Sequence, residues 1–214
     1  MEQIKMKFKT IALVLGLSCG LMSQSFAGDA ESLKAKLKSL NTFKANFTQQ
    51  VKDEEGTLLQ DGTGNIALKY PSKIRWQQLE PDETLLVSDG DKTFYFDSFA
   101  EQVTVMNTAG LIDTTPFVLL TTQDKSQWAK YDVSKTTVGY RVSPKPDVES
   151  QVEQLDIVFE SAGLAIDSLS IKDASGQIST FKFADAKTNL EMDDKSFTFK
   201  IPHGVVIDDQ TTGE

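Results

Sequence analysis

From residue 43 onward, apolar and polar residues alternate in one short run after another, with turn-forming residues between the runs. In "NIALKYPSKIRW" (residues 65–76), Ile66, Leu68 and Tyr70 share one face, and Ile74 and Trp76 resume the pattern beyond Pro71. Successive side chains of a strand point to opposite faces, so such a run buries one face and wets the other. "FKANFTQQVKD" carries Phe43, Ala45, Phe47 and Val51 in the same way, and a turn at "DEEG" makes "TLLQDGTGNIALKY" its hairpin partner. "KIRWQQL", "TLLVSDG", "KTFYFD" and "EQVTVMN" follow. After an interruption come "KYDVSKTT", "GYRVSPK", "QVEQLDIVFE", "LAIDSLSIKD", "QISTFKFADAKTN" and "SFTFKIP", with a hairpin turn at "DASGQ". About ten to twelve strands in succession predict a mainly β fold, a large curled antiparallel sheet or open barrel.

Two segments break the alternation. "GDAESLKAKLKSLNTF" predicts a helix with Asp29 as N-cap, Glu31 in the first turn, and Leu33, Leu37 and Leu40 in one apolar stripe. "LIDTTPFVLLTTQDKSQW" predicts a second, short helix opened by Thr115 and Pro116. Phe117, Val118, Leu119 and Leu120 make that segment apolar all round, so it needs cover on more than one side.

The N-terminus reads as an export signal. Lys5, Lys7 and Lys9 precede the apolar run "TIALVLGLSCGLM", and small residues at Ser25–Ala27 place a cut after Ala27. The expected organisation is a leader over residues 1–27 and one domain over 28–214. The whole chain carries a net charge of −9, and losing three lysines and one glutamate with the leader lowers it to −11. A field of that sign repels phosphates, which argues against nucleic acid and against holding on to anionic membranes. The single cysteine, Cys19, lies inside the leader. As a lipid-attachment site it lacks the usual leucine three residues earlier, where Gly16 stands, so it is read as leaving with the leader.

Little in the chain suggests catalysis or a metal. The lone histidine, His203 in "IPHG", has no nucleophile elbow near it, and one histidine cannot make a histidine-rich zinc site. The acidic clusters at 53–55, 192–194 and 208–209 lack calcium-loop spacing and read as solvated turns. "NFT" (46–48) fits a glycosylation sequon inside a strand pattern, and no pair of carboxylates stands out for hydrolysis. No enzyme activity and no cofactor are expected. What remains is a series of aromatics, Phe43, Phe47, Trp76, Phe94, Phe96, Phe99 and Phe117, on a sheet with too little helix to cover it. Incomplete cover is how an apolar cavity arises.

The segments "FKANFTQQV", "GTGNIALKYPSKIRW", "LEPDETLLVSDG", "FAEQ", "TPFVLL" and "VVIDDQ" give the chain a resemblance, in order and spacing, to the LolA family of periplasmic lipoprotein carriers. The resemblance implies an unclosed, half antiparallel β-barrel with a short-helix lid over an apolar cavity for lipoprotein acyl chains. The expected cavity residues are Phe43, Phe47, Ile66, Leu68, Ile74, Trp76, Phe94, Phe96 and Phe117; the lid residues are Leu33, Leu37, Leu40, Leu119, Leu120 and Thr121. By the same resemblance the protein is a periplasmic monomer without a stable membrane anchor. It would take acylated lipoproteins from the inner-membrane transporter LolCDE and pass them to the outer-membrane receptor LolB. The rival reading is a LolB-like acceptor anchored through Cys19. One departure concerns the lid: family members carry Arg-Pro where this chain has Tyr70-Pro71, and that arginine latches carbonyls corresponding to Leu37, Leu120 and Thr121. Tyr70 is therefore the expected latch position, and Ile74 replaces a more usual aromatic.

Overall fold

The computed structural model describes residues 25–108, 119–122 and 124–211, with side chains from Gly28 onward. Helix α1 (Ser25–Ser39) leads into a first meander of strands β1 (Thr42–Lys52), β2 (Leu58–Lys69), β3 (Lys73–Glu80), β4 (Thr84–Ser88), β5 (Lys92–Asp97) and β6 (Gln102–Asn107). A one-turn helix α2 (Lys125–Trp128) precedes a second meander, β7 (Tyr131–Lys135), β8 (Gly139–Pro144), β9 (Val152–Phe159), β10 (Ile166–Asp173) and β11 (Ile178–Thr188). The chain ends with β12 (Val206–Asp209).

The twelve strands among the described residues form one sheet in the order β12-β6-β5-β4-β3-β2-β1-β11-β10-β9-β8-β7. Antiparallel pairing of β1 with β11 joins the meanders, while β12 adds in parallel to the outside of β6. The terminal strands β12 and β7 do not pair, so the barrel stays open. The hairpin turns carry the expected chemistry. At the β10–β11 turn, the Asp173 carboxylate accepts from the backbone N–H groups of Ser175 and Gln177, and Gly176 takes a φ of 84° that a side chain would strain.

The sheet has apolar layers on both faces. The inner face holds the main core, including Phe43, Phe47, Ile66, Leu68 and Ile74 from the first meander and Leu155, Ile157, Leu169 and Phe181 from the second. A separate outer layer is built on Leu85, Val87, Val103 and Val105, which alternate with the inner residues of β4 and β6. The segment between β11 and β12 covers this outer layer. It carries a 3-10 turn (Asp194–Phe197) capped by Asp193, with Phe197 fully buried. Asp194 lies between Lys69 Nζ at 2.6 Å and Lys73 Nζ at 2.9 Å, and Lys69 also donates to the Met192 carbonyl at 2.8 Å.

Two expectations change. "SFTFKIP" is not a strand: its residues form the end of the 3-10 turn and an extended segment lying on the outer layer, with Phe199 beside Phe94 and Phe96. Extended chain crossing an apolar face alternates just as a paired strand does, and the paired strand is the later β12 instead. Asp29 is not an N-cap, because α1 begins at Ser25 and Asp29 lies inside it. Its carboxylate accepts from the Lys135 N–H at 2.9 Å, tying α1 to β7. The expected helix opening at Thr115 and Pro116 falls outside the described residues.

Truncating Phe197 to alanine should cost about 3–5 kcal/mol, the range for deleting a fully buried phenyl ring, as read from urea melts. The Asp194 carboxyl is held down at about 2, chiefly by hydrogen bonds from Lys69 and then Lys73. Its contribution to stability is therefore present above the ordinary carboxylate pKa of about 4 and is lost as pH falls toward about 2. Urea melts between pH 5 and 2 should show a shallower acid loss in Asp194→Asn than in the parent.

Candidate functional site

The strand register sorts the inner face of the first meander into rows. Nearest the β3–β4 and β5–β6 turns stand Gln78, Thr84 and Asp97, with Gln102 beyond. The next row is Ile66, Trp76, Leu86, Tyr95 and Thr104. The third is Leu68, Ile74, Ser88, Thr93 and Met106. Polarity thus increases toward one end of the face and toward β6.

At the join between the meanders the aromatics meet. Phe47 stacks on Trp76 with centroids 4.5 Å apart, and Phe181 meets Trp76 edge-on at 4.8 Å and Phe47 at 5.6 Å. Each such contact contributes about 0.5–1.5 kcal/mol beyond area burial. Gly64 makes the arrangement possible, because a Cβ there would overlap the Phe47 ring and the Gln77 carbonyl. Beside the trio lies a cavity of about 230 Å³, walled by Ile74, Trp76, Leu86 and Phe181 and edged by Gln78, Thr84 and Tyr95. Burial pushes the Tyr95 phenol pKa up, as does the Asp97 charge, against a smaller opposing effect of the Thr84 hydroxyl.

Helix α1 covers the other half of the inner face. Leu33, Leu37 and Leu40 are all buried in the inner core, as are Leu119 and Leu120 from a 3-10 turn and Trp128 from α2. The helix is fixed by Ser32 Oγ against Tyr140 OH at 2.8 Å and by Lys36 Nζ, 4.2 Å from the Phe159 ring centroid. Its C-terminal end is held by Asn189, whose side chain accepts from Asn41 N–H at 2.8 Å and donates to the Ser39 carbonyl at 3.1 Å. A groove of about 610 Å³ runs between α1 and α2, lined by Leu37, Tyr70, Thr122 and Trp128 among others.

Two of the carbonyls expected to meet a latch, those of Leu37 and Thr121, accept from backbone N–H groups. Ser72 N–H donates to the Thr121 carbonyl at 3.1 Å, and Leu40 N–H donates to the Leu37 carbonyl at 3.0 Å. The Tyr70 N–H is bonded to Asn41, while its phenol, raised in pKa by burial, makes no hydrogen bond to a described residue. Ser72 is itself anchored. Ser88 Oγ donates to the Ser72 carbonyl at 3.0 Å, so the Thr108 hydroxyl must donate to Ser88 at 3.0 Å. Thr93, 3.1 Å away, then donates to Thr108, since each hydroxyl has one proton.

The structure brings Phe43, Phe47, Ile66, Leu68, Ile74 and Trp76 together on the inner face. Phe94 and Phe96 are corrected. They pair with Val87 and Leu85 on the outer face, 5.7 Å and 6.0 Å from Phe199, and Tyr95 takes the inward place. Phe117 lies outside the described residues. Phe181 joins the site without having been singled out, although the alternation of "FKF" had marked it as facing one side. Asn189 and Ser72 had no readable signal, since each acts through local backbone geometry. His203 is exposed in a turn. Among the described residues no group of three or more His, Cys, Asp or Glu side chains is placed to hold a metal ion. No described helix is long and apolar enough to cross a membrane.

The family described as outer membrane lipoprotein carrier protein LolA matches residues 38–200. An outer-membrane lipoprotein carrier protein of Pseudoalteromonas translucida (strain TAC 125) is 53% identical, covering 97% of this chain and 99% of its own. One from Shewanella sediminis (strain HAW-EB3) is 38% identical over 94% of this chain and 96% of its own. A crystal structure of an uncharacterized conserved protein from Thermus thermophilus shares the fold, with a TM-score of 0.52 at 9% identity over 84% of this chain and 98% of that one. With a match spanning most of the sequence and relatives this similar along nearly their whole length, the chain belongs to the LolA family of outer-membrane lipoprotein carrier proteins.

Proposed function

We propose that the protein is a periplasmic carrier that shelters lipoprotein acyl chains against the inner face of its curled sheet. In this reading it receives lipoproteins from LolCDE and delivers them to LolB, working as a monomer after a leader of residues 1–27 is removed. The observation that carries the reading is the aromatic and aliphatic cluster of the inner face, lying under a helix held by few polar contacts.

A carrier must hold its cargo firmly and still release it. Burying one methylene contributes ~0.8 kcal/mol, so full burial of a multiply acylated anchor would reach ~30 kcal/mol. Non-covalent complexes saturate near ~20 kcal/mol, and anything close to that limit would not release on a useful timescale. Partial burial and a better acceptor resolve this without nucleotide or cofactor. The cavity of about 230 Å³ falls below the roughly 300–1,000 Å³ of ordinary ligand pockets, so it is too small to take a multiply acylated anchor as it stands. Loading then requires the aromatic trio to part and α1 to swing from the sheet.

Native mass spectrometry of the protein from envelope extracts should find acylated lipoprotein bound to a chain beginning at Gly28. A chain beginning with an acylated Cys19 would instead indicate an anchored acceptor. Replacing Phe47, Leu68 or Trp76 with glutamate should abolish uptake of a fluorescent fatty-acyl probe, because an unpaired buried charge costs several kcal/mol. A native circular-dichroism spectrum separates lost binding from lost folding, and normal uptake in all three variants would place the acyl site elsewhere.

Tyr70 bears on the rate of opening. Tyr70→Arg sets five fixed donors in the groove shared with the lid. Two hydrogen bonds from a charged donor, at ~1.5 kcal/mol each, shift the open–closed ratio about a hundredfold. Stopped-flow uptake should slow markedly in this variant and stay unchanged in Tyr70→Phe, whose lost hydroxyl has no described partner.

A further inference from the structure

The inner face is not uniformly apolar, and its polar part sits where water reaches the cavity. Ile74 and Phe181, on the cavity walls, are 1% and 5% exposed, whereas Tyr95 on the edge is 37% exposed. Gln78, Thr84 and Tyr95 bring an amide and two hydroxyls to one rim, and the described lining contains no lysine or arginine. Asp97 stands directly across from Thr84, and its carboxylate is fixed by accepting from the Phe99 and Ala100 N–H groups, both at 2.9 Å.

We propose that this rim is a head-group subsite that selects an uncharged, ester-linked acylglycerol head over an anionic phospholipid head. The inference rests on the carrier reading and names what that carrier recognises beyond hydrocarbon. Ester and amide carbonyls only accept hydrogen bonds; the Gln78 amide has protons to donate, and the Thr84 and Tyr95 hydroxyls, which share one hydrogen bond, have one more. With the tails against Trp76 and Phe181, the carbonyls that join them to glycerol fall at the edge of the apolar wall, level with these donors. A phosphate would bring a negative charge to the same edge, without a cation to pair with and beside the fixed Asp97 carboxylate. In a partly desolvated site that arrangement is unfavourable. A membrane offers phospholipid in vast excess over lipoprotein, so a carrier that recognised acyl chains alone would fill with the wrong lipid.

The test is competition on the purified, lipid-free protein preloaded with a fluorescent hydrocarbon probe that has no polar head. The competitors are dioleoylglycerol and dioleoylphosphatidylglycerol, which share tails and differ in charge. The parent should bind the diacylglycerol at least about tenfold more tightly. The double variant Thr84→Val, Tyr95→Phe, which keeps side-chain shape, should lose about tenfold in diacylglycerol affinity relative to its affinity for the hydrocarbon probe. Asp97→Asn, which retains an acceptor for the turn, should narrow the discrimination by strengthening phosphatidylglycerol binding. Equal affinities for the two lipids in the parent, or a preference that survives the double variant, would overturn the subsite. Failure of the hydrocarbon probe to bind the parent would overturn the carrier reading itself, and this inference with it.

Discussion

The pairing of β1 with β11 is the contact on which the rest of the molecule depends. Each meander alone is a sheet whose inner apolar face has nothing to be buried against. Pairing residues far apart in sequence, Phe47 with Phe183 and Gln49 with Phe181, fuses them into one sheet whose twist turns both apolar faces toward the same interior. The register shift between Lys44 and Asn46 lies within this pairing, and Asp185 opposite it takes a φ of 55°, so the sheet bends where the halves join. The aromatic trio sits at the same place. Phe47 and Phe181 come from the two paired strands, and Trp76 leans across from β3.

The two faces of the sheet divide the work of stability and exchange. The outer layer is closed by a chain segment fastened through Asp194 to two lysines, and the buried Phe197 side chain lies within that segment. The inner layer on α1 depends on apolar contact with a few polar ties near the ends of the helix. Apolar contact is non-directional and roughly proportional to area. A side chain of α1 can therefore be replaced by an acyl chain of similar area at little net cost, which no network of directed hydrogen bonds would allow. In the proposed carrier, a fold that kept all its apolar burial on the inner face would loosen each time the helix left the sheet, whereas the outer layer would keep the sheet intact.

Strand existence was legible because period-two alternation survives wherever one face is buried, and eleven of the twelve strands coincide with such runs. Facing was legible only where one side is polar. In β1 and β3, lysines, arginine and glutamines mark the wet side and leave no choice for Phe47 or Trp76. In "KTFYFD" all three central residues are aromatic. Alternation alone then permits either Tyr95 or the pair Phe94 and Phe96 to face inward, and the pairing of Leu86 with Tyr95 decides it. The assumption that failed was a single apolar face. Phe94 and Phe96 are apolar because Phe199 lies over them, a contact between residues about a hundred positions apart with no local signature. The same outer packing made "SFTFKIP" resemble a strand.

The Thr121 carbonyl shows how a contact can be made without an arginine at position 70. A guanidinium at position 70 would reach several carbonyls from a mobile side chain. This chain instead holds the Thr121 carbonyl with the backbone N–H of Ser72, which cannot swing away unless the β2–β3 turn itself moves. That turn is fixed from below by the hydroxyl series from Thr93 through Thr108 to Ser88, whose last proton goes to the Ser72 carbonyl. The series is buried and each donor in it is used, so breaking one bond would leave an unsatisfied polar group where water has little access. The anchor is therefore stiffer than a side-chain latch, but it supplies one neutral hydrogen bond where an arginine could supply several charge-assisted ones. In the proposed carrier, opening would be governed less by that hydrogen bond than by the apolar contacts of Leu33, Leu37 and Leu40. Those are the contacts an incoming acyl chain can itself replace.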